Sequence, residues 1–237
     1  MGLGRAGWRA AAVGSVAVLL AAAAGMPPAV AAAPARPLPI RAAAGETLTA
    51  RFTELIDALP VAAEDRTGYV RTAFRHWNAG QDPADGCDTR REVIRSEALV
   101  APEVGPKCAL AGGVWFSPYD DLTITDAAGL DVDHLAPLAE AWDSGASRWS
   151  AAEREAYAND QGDPRTLIAV SARSNRQKAD KDVAQWLPTR SYQCQYVQDW
   201  TAVKTRWGLS VDPVELAALH HVAADCEDVP ITVTLAR

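Results

Sequence analysis

The hydrophobic positions of this chain repeat with a helical period in several segments. Residues 48–59 form an amphipathic pattern that Pro60 ends, and this pattern predicts a helix. Val70, Phe74 and Trp77 share one face of a second predicted helix. Four more helices are predicted: from Asp88 toward Leu99, from Ser150 to Asn159, over residues 192–207, and from Asp212 onward.

Short apolar runs between these helices predict strands. They cover residues 114–116, 122–125, 130–135 and 167–170, with turn residues around them. The run at 130–135 alternates apolar and polar positions, which is typical of a strand with one buried face. The pattern therefore predicts an α+β fold: a single, mainly helical domain around a small antiparallel sheet.

The N-terminus has the pattern of an export signal. Arg5 and Arg9 precede the apolar run 10–24, and small residues follow it. The run is short for a membrane span, so we expect a signal peptide at residues 1–31, a secreted protein, and no membrane contact after cleavage. Residues 32–46 are rich in alanine and proline and predict a disordered lead-in. Residues 47–237 remain for one domain.

The four cysteines are consistent with an extracellular location. Cys87, Cys108, Cys194 and Cys226 form no C-x-x-C pair, so two disulfides are expected rather than a zinc site. Four cysteines allow three pairings. We favour Cys87–Cys108 and Cys194–Cys226, because each pair closes a modest loop.

Two polar segments carry the candidate chemistry. Residues 131–138 read D-V-D-H-L-A-P-L, and residues 174–180 read S-N-R-Q-K-A-D. The first supplies carboxylates and a histidine, and the second an amide and cations. These are the groups required for metal-assisted hydrolysis of a phosphodiester, namely metal ligands, a general base and phosphate-binding cations.

The order strand, insert, strand and polar helix over residues 130–182 resembles the ββα-metal core of HNH endonucleases. The pattern D-V-D-H-x-x-P at 131–137, followed by S-N-R-x-K-x-D at 174–180, resembles the HNH domain of RNA-guided DNA nucleases and the nuclease domain of GmrSD-type restriction enzymes. The string D-H-L-A-P-L-A-E-A-W-D-S-G-A and the segment G-C-D-T-R at 86–90 resemble small exported bacterial HNH-family proteins. The similarity covers roughly residues 65–225.

This resemblance implies a role for each matching residue. His134 would be the general base of a phosphodiester hydrolase, and Asp133 and Asn175 would hold one divalent ion. Oxygen ligands favour Mg²⁺ or Mn²⁺. Asn159 would support the loop between the strands. The full set of expected residues is His134, Lys178 and Arg90 for catalysis; Asp133, Asn175 and Asp131 for metal; and Arg173, Arg176 and Lys181 for phosphate.

Strand geometry leaves one alternative open. Neighbouring residues on a regular strand point to opposite faces, so Asp133 and His134 would share a site only if the strand ends or distorts at His134. If the strand stays regular, Asp131 and Asp133 form the more natural ligand pair.

The charge distribution indicates nucleic acid as a binding partner. The chain has a net charge of −7, but six cations and two anions lie between Arg165 and Arg190. A local basic strip favours transient contact with nucleic acid, with DNA preferred over RNA and little sequence selectivity.

Two functions other than a nuclease remain open. They are a disulfide-braced extracellular binding protein on an inactive HNH-like scaffold, and another metal-dependent hydrolase that uses Asp131, Asp133 and His134.

Overall fold

The computed structural model describes residues 43–237, and all elements below lie within them. The helices are α1 (Phe52–Ala58), α2 (Thr89–Ser96), α3 (Leu138–Asp143), α4 (Ala151–Ala158), α5 (Ala172–Lys178), α6 (Gln193–Trp207) and α7 (Pro213–Ala223). The strands are β1 (Thr47–Arg51), β2 (Glu103–Gly105), β3 (Ala109–Ala111), β4 (Trp115–Ser117), β5 (Leu122–Ile124), β6 (Leu130–His134), β7 (Leu167–Ser171) and β8 (Pro230–Thr234).

The strands form four separate two-stranded antiparallel sheets. The pairs are β1 with β8, β2 with β3, β4 with β5, and β6 with β7. The prediction of mixed helix and small antiparallel sheet is confirmed, although the strands are distributed over four sheets instead of one. The β6–β7 pair is mostly buried, whereas β2 and β3 are mostly exposed.

The predicted helix at 48–59 is wrong in its first half. Residues Thr47–Arg51 form β1, which pairs with β8, and the helix begins only at Phe52. The hydroxyls of Thr47 and Thr49 contact those of Thr234 and Thr232 across the sheet, at 2.9 and 2.7 Å. The strand partner lies more than 180 residues away in sequence, so the local pattern gave no sign of it.

The helix predicted through Val70, Phe74 and Trp77 is also wrong. Only a 3₁₀ turn at Arg71–Ala73 forms there, and Trp77 has a positive φ of 63°. A tryptophan in this left-handed region is unusual and is held by its surroundings. From this irregular loop, Phe74 is fully buried and Trp77 is partly buried, whereas Val70 is 56% exposed.

Two hydrophobic clusters form the core of the described residues. The larger includes Phe52, Leu55, Tyr196, Trp200 and Val233. The smaller consists of Val93 and Ile94 of α2, Trp115, and the inward residues Leu130, Val132, Leu167 and Ala169 of β6 and β7. Helix α2 thus covers one face of the β6–β7 pair, and the opposite face is available to α5.

Both expected disulfides are present. Cys87 is bonded to Cys108 beside α2, and Cys194 at the start of α6 is bonded to Cys226 just after α7. The second bond joins α6 to the segment just after α7, and these two helices also pack against each other. Closing loops of this length in the unfolded chain stabilises a fold by about 2–4 kcal/mol per bond.

The expected signal peptide and most of the expected lead-in fall at residues 1–42, outside the described residues. None of the helices within 43–237 combines the length and apolar character needed to cross a bilayer.

Candidate functional site

The candidate site is built on a strand–strand–helix unit formed by β6, β7 and α5. β6 and β7 are antiparallel, with Asp131 opposite Val170 and His134 opposite Leu167. Ser171, the last residue of β7, caps α5 by accepting a hydrogen bond from the Ser174 amide at 3.1 Å. This cap lets the chain turn directly from the strand into the helix, so that α5 lies against β6.

β6 remains a regular strand through His134, so Asp131 and Asp133 lie on the same face, toward α5. Asp131 is partly exposed, and its Oδ2 lies 3.4 Å from Nδ2 of Asn175 and 3.6 Å from Nε of Arg176. A half-turn of the Asn175 amide places its Oδ1 at the same position. As the amide stands, Nδ2 donates to Asp131; after the half-turn, a carboxylate oxygen and an amide oxygen would meet at the solvent edge of this face.

Asp133 is buried and is held by two other side chains. Lys178 donates to its Oδ1 at 3.1 Å and lies 2.8 Å from Oδ2, which also accepts the Tyr119 hydroxyl at 2.7 Å. Burial raises the pKa of Asp133 and lowers the pKa of Lys178, although their mutual attraction opposes both shifts. Both oxygens of Asp133 are thus engaged by protein groups.

His134 is buried, and one of its ring nitrogens has a fixed partner. Nε2 lies 2.9 Å from the carbonyl oxygen of Ala158, which can only accept, so Nε2 carries the proton. Burial lowers the pKa of the imidazole from 6.5 to about 3, with smaller contributions from His76, Arg71 and Lys178. The neutral ring therefore presents Nδ1 as an acceptor.

Two aromatic rings lie nearly parallel to the His134 imidazole. The Trp77 ring is 5.3 Å away at 24°, and the Tyr157 ring is 6.4 Å away at 19°. His76 meets the imidazole edge-on at 6.1 Å. The sequence pattern predicts Trp77 on a helix face and does not link Trp77 or Tyr157 to the site. The only sequence feature that could have indicated them is the presence of aromatic residues before and after the D-H motif.

Asn159, just after α4, hydrogen-bonds the loop that carries Trp77 to the end of the helix that carries Tyr157. Its Oδ1 accepts the Asn78 amide at 3.0 Å, and its Nδ2 donates to the carbonyls of Arg75 and Glu155 at 2.9 and 2.8 Å. Asn159 thus clamps the loop around Trp77 to the helix end that holds His134 through Ala158. This geometry supports the structural role expected for Asn159.

A pocket of about 490 Å³ opens at the end of β6. Its lining includes Asp133, His134, Asn175, Arg176, Arg71 and Tyr69. The buried imidazole of His134 and the polar α5 residues therefore share one solvent-accessible cavity, which Arg71 and Arg176 also line.

The expected phosphate-binding and catalytic cations have different surroundings. Arg173 and Arg176 are exposed on α5, whereas the Lys181 ammonium donates to the Gln177 carbonyl at 2.6 Å. Arg90 donates to the Leu130 carbonyl at 2.8 Å, where β6 begins. Together with the burial of Lys178, these contacts suit Arg90 and Lys178 for positioning β6 and Asp133 rather than for reaching phosphate.

The available oxygens fit a hard divalent ion. Such an ion takes one or two carboxylates together with water and phosphate oxygens, and Asp131 and Asn175 offer that kind of donor at the exposed edge. Asp133 lies behind them, with its charge already paired with Lys178. The regular strand puts both carboxylates on one face, and burial leaves Asp131 and not Asp133 as the exposed one.

Residues 107–221 match the protein family described as GmrSD restriction endonucleases, C-terminal domain. The match contains β6, β7 and α5, but the site residues that precede Lys107, among them Tyr69, Arg71, Trp77 and Arg90, lie outside it. No solved structure matches the chain.

The chain is also similar to an uncharacterized secreted protein of Arthroderma benhamiae. The two are 39% identical over 160 residues, which cover 67% of this chain and 76% of the fungal protein. The chain therefore belongs to the same protein family as this secreted fungal protein. The relative is fungal, so it gives no support to the expectation of a bacterial family.

Proposed function

We propose that this protein is a secreted, metal-dependent endonuclease of the HNH type. It hydrolyses phosphodiester bonds of DNA, and less readily of RNA, with low sequence selectivity. The matched restriction-endonuclease domain supports nuclease chemistry, and the secreted relative and the two disulfides support an extracellular location.

The environment of His134 is the observation that carries the proposal. The Ala158 carbonyl fixes the proton on Nε2, and burial keeps the ring neutral, so Nδ1 is available to accept a proton from water. Trp77 and Tyr157 restrict the ring to one orientation. His134 also lines the same pocket as Asn175 and Arg176, so the proposed base, one proposed ligand and a phosphate-binding cation border one cavity.

Asp131 and Asn175 would hold the ion, which is Mg²⁺ or Mn²⁺ in this proposal. Bound there, a divalent ion supplies positive charge against the phosphoryl oxygens and the leaving group. Asp133 has a structural role in this proposal, because Lys178 and Tyr119 hold its buried carboxylate behind the ion site.

Arg173 and Arg176 provide the contacts to the nucleic-acid backbone. Both are exposed on α5, and Arg176 lines the pocket. Arginine binds phosphate through paired N–H groups, which positions the backbone without reading the base sequence. This arrangement is consistent with low selectivity.

Plasmid cleavage by the purified mature protein tests the proposal. We expect nicking with Mg²⁺ or Mn²⁺, none with excess EDTA, and a loss of at least about 100-fold in His134→Ala. His221→Ala is the matched control, because His221 is an exposed histidine on α7, and it should cleave like the parent protein.

Two further variants test the ligands. Asn175→Ala should lose metal-dependent cleavage, and Asn175→Asp, which keeps an oxygen donor, should recover part of it. Absence of cleavage with every divalent ion would instead favour the alternative, a disulfide-braced binding protein on an inactive HNH-like scaffold. Cleavage of a small phosphodiester but not of plasmid would favour a different phosphoesterase.

A further inference from the structure

A second group of carboxylates lies apart from the candidate active site. Oxygens of Glu64, Glu140 and Asp143 lie within 4.8 Å of one another, and so do oxygens of Glu64, Asp182 and Asp212. Glu64 belongs to both triads. The five side chains come from four segments: the loop after α1, helix α3, the loop after α5, and the N-cap of α7.

The positive groups nearby are shared with other carboxylates. Arg66 lies 2.6 Å from Asp143 and also 2.7 Å from Asp180. The buried Lys204 lies 2.7 Å from Glu140 and also 2.6 Å from Glu215. Two cations therefore serve four carboxylates, and no ion pair within residues 43–237 involves Glu64, Asp182 or Asp212.

One buried oxygen in this group has no partner. The Asp143 side chain is only 1% exposed, and its Oδ1 has no hydrogen-bond partner among residues 43–237, whereas Oδ2 receives Arg66. A buried carboxylate oxygen without a donor is costly, and native proteins rarely leave one. This oxygen belongs to a residue of the first triad, so it points to a missing positive partner there.

The other hydrogen bonds use one oxygen of each carboxylate. Asp182 accepts the amides of Ala184 and Gln185 through Oδ1, at 2.8 and 2.9 Å. Asp212 accepts the amides of Val214 and Glu215 through its own Oδ1. These bonds fix both side chains and leave Oδ2 of each for another partner.

Glu64 responds electrostatically to the whole group. Its pKa is raised from 4.5 to about 7, first by burial and then by Glu140, Asp212, Asp143 and Asp182. The four neighbours that raise the pKa are the other members of the two triads. The carboxylates thus repel one another at neutral pH unless a cation joins them.

We propose that Glu64, Glu140, Asp143, Asp182 and Asp212 form a Ca²⁺ site that links four segments of the fold. Ca²⁺ takes six to eight oxygen ligands at about 2.3–2.6 Å in flexible geometry, so oxygens around one ion lie up to about 5 Å apart. Within each triad the carboxylate oxygens lie within 4.8 Å of one another, which meets that condition. Mg²⁺ requires stricter octahedral geometry and keeps its water, which suits this group of five carboxylates less well.

Calcium titration of the metal-free mature protein tests this site. After EDTA treatment and dialysis, calorimetry should show saturable Ca²⁺ binding, with much weaker binding of Mg²⁺. The Tm should rise by about 5–10 °C when Ca²⁺ is a hundredfold above its Kd. Neither binding heat nor a Tm shift with Ca²⁺ would overturn the proposal.

Two isosteric variants locate the ion. Glu64→Gln keeps an exposed side chain of the same shape, and it should lose the Ca²⁺-dependent Tm shift while raising the Tm of the metal-free protein. Asp143→Asn should also lose the shift. A shift of parental size in both variants would show that these carboxylates do not hold the ion.

Asn175→Ala separates this site from the candidate active site. It should retain the full Ca²⁺-dependent Tm shift, even though it removes a proposed ligand of the catalytic ion. Loss of the shift in this variant would assign Ca²⁺ to the β6–α5 site and overturn the second site. Failure of plasmid cleavage has no bearing on this result, because the readout is binding and unfolding.

Discussion

Two regions of this protein concentrate carboxylates, and they differ in how the charge is balanced. At the β6–α5 site, Asp133 has Lys178 at 2.8 Å and Asp131 has Arg176 at 3.6 Å. In the group around Glu64, the carboxylates outnumber the cations that reach them. The balanced site tolerates a phosphate beside the proposed divalent ion, whereas the acidic group requires a cation to offset its own charge. Similar side chains can therefore form an open reaction site in one region and a closed structural ion site in another.

The largest expected effect comes from breaking the balance at the first site. Lys178→Met leaves Asp133 buried without its cation, and we expect the free energy of unfolding to fall by about 3–5 kcal/mol. Urea titration measures the loss. The double variant Asp133→Asn/Lys178→Met removes both charges and should recover most of it. A loss below about 1 kcal/mol in the single variant would contradict the importance of this pair.

The two regions should respond to pH in opposite directions. The folded pKa of His134 is about 3 and its unfolded pKa about 6.5, so the unfolded state binds the proton first, and stability falls as pH drops below 6.5. Between pH 7.5 and 5 this costs about 2 kcal/mol. Glu64 is the reverse case, because its raised pKa lets stability rise as pH falls from 7 toward 4.5.

Unfolding at several pH values, in EDTA, separates these contributions. His134→Asn should lose less stability than the parent protein between pH 7.5 and 5, and Glu64→Gln should lose more. Groups that both variants retain, such as Glu97 and Asp199, cancel in the comparison. Identical pH profiles for the parent and His134→Asn would mean that the imidazole is not held neutral by burial.

Arg66 tests the acidic group through its existing counterion. Arg66→Gln removes the cation from the buried Asp143, and we expect a loss of about 1–2 kcal/mol in the metal-free protein. Saturating Ca²⁺ should restore more stability to this variant than it adds to the parent. An equal gain in both would separate Asp143 from the proposed ion.

The smallest expected effect on stability is at the exposed pair of the first site. The Arg176 side chain is 76% exposed, so Arg176→Ala should change the free energy of unfolding by less than about 1 kcal/mol. Its effect should appear in function, as a several-fold rise in KM for plasmid and a salt dependence reduced by about one phosphate contact. An unchanged KM would remove Arg176 from the phosphate contacts.

Local sequence patterns predicted the elements that local rules determine. Ser150 with Glu153, Asp212 with Pro213, and Gly208 marked helix ends that α4, α7 and α6 reproduce. The alternation around Asp131 marked β6. Caps and alternation depend on residues a few positions apart, so the sequence displays them directly.

Features that depend on distant partners were not predictable from those patterns. Residues 47–51 fit a helical pattern, but they form β1 because they pair with the distant β8. Trp77 also fits a helical pattern, but the path of its loop places its ring against His134. Burial at the site was not predictable either. Lys178, one turn after Asn175, has the sequence position of a surface cation, but its buried ammonium lies against Asp133. The sequence listed the groups near the site but not their pairing.

The pairing of β1 with β8 has a consequence for the timing of folding. Arg206 joins the last strand to the site, because it donates to the Thr234 carbonyl and, at 2.7 Å, to Asp160, next to the Asn159 clamp. Ribosomes make β8 long after β6, and contacts so distant in sequence form slowly. In a nuclease of the proposed kind, the loop beside the site is thus tied through Arg206 and Asp160 to a strand pair that closes late in folding.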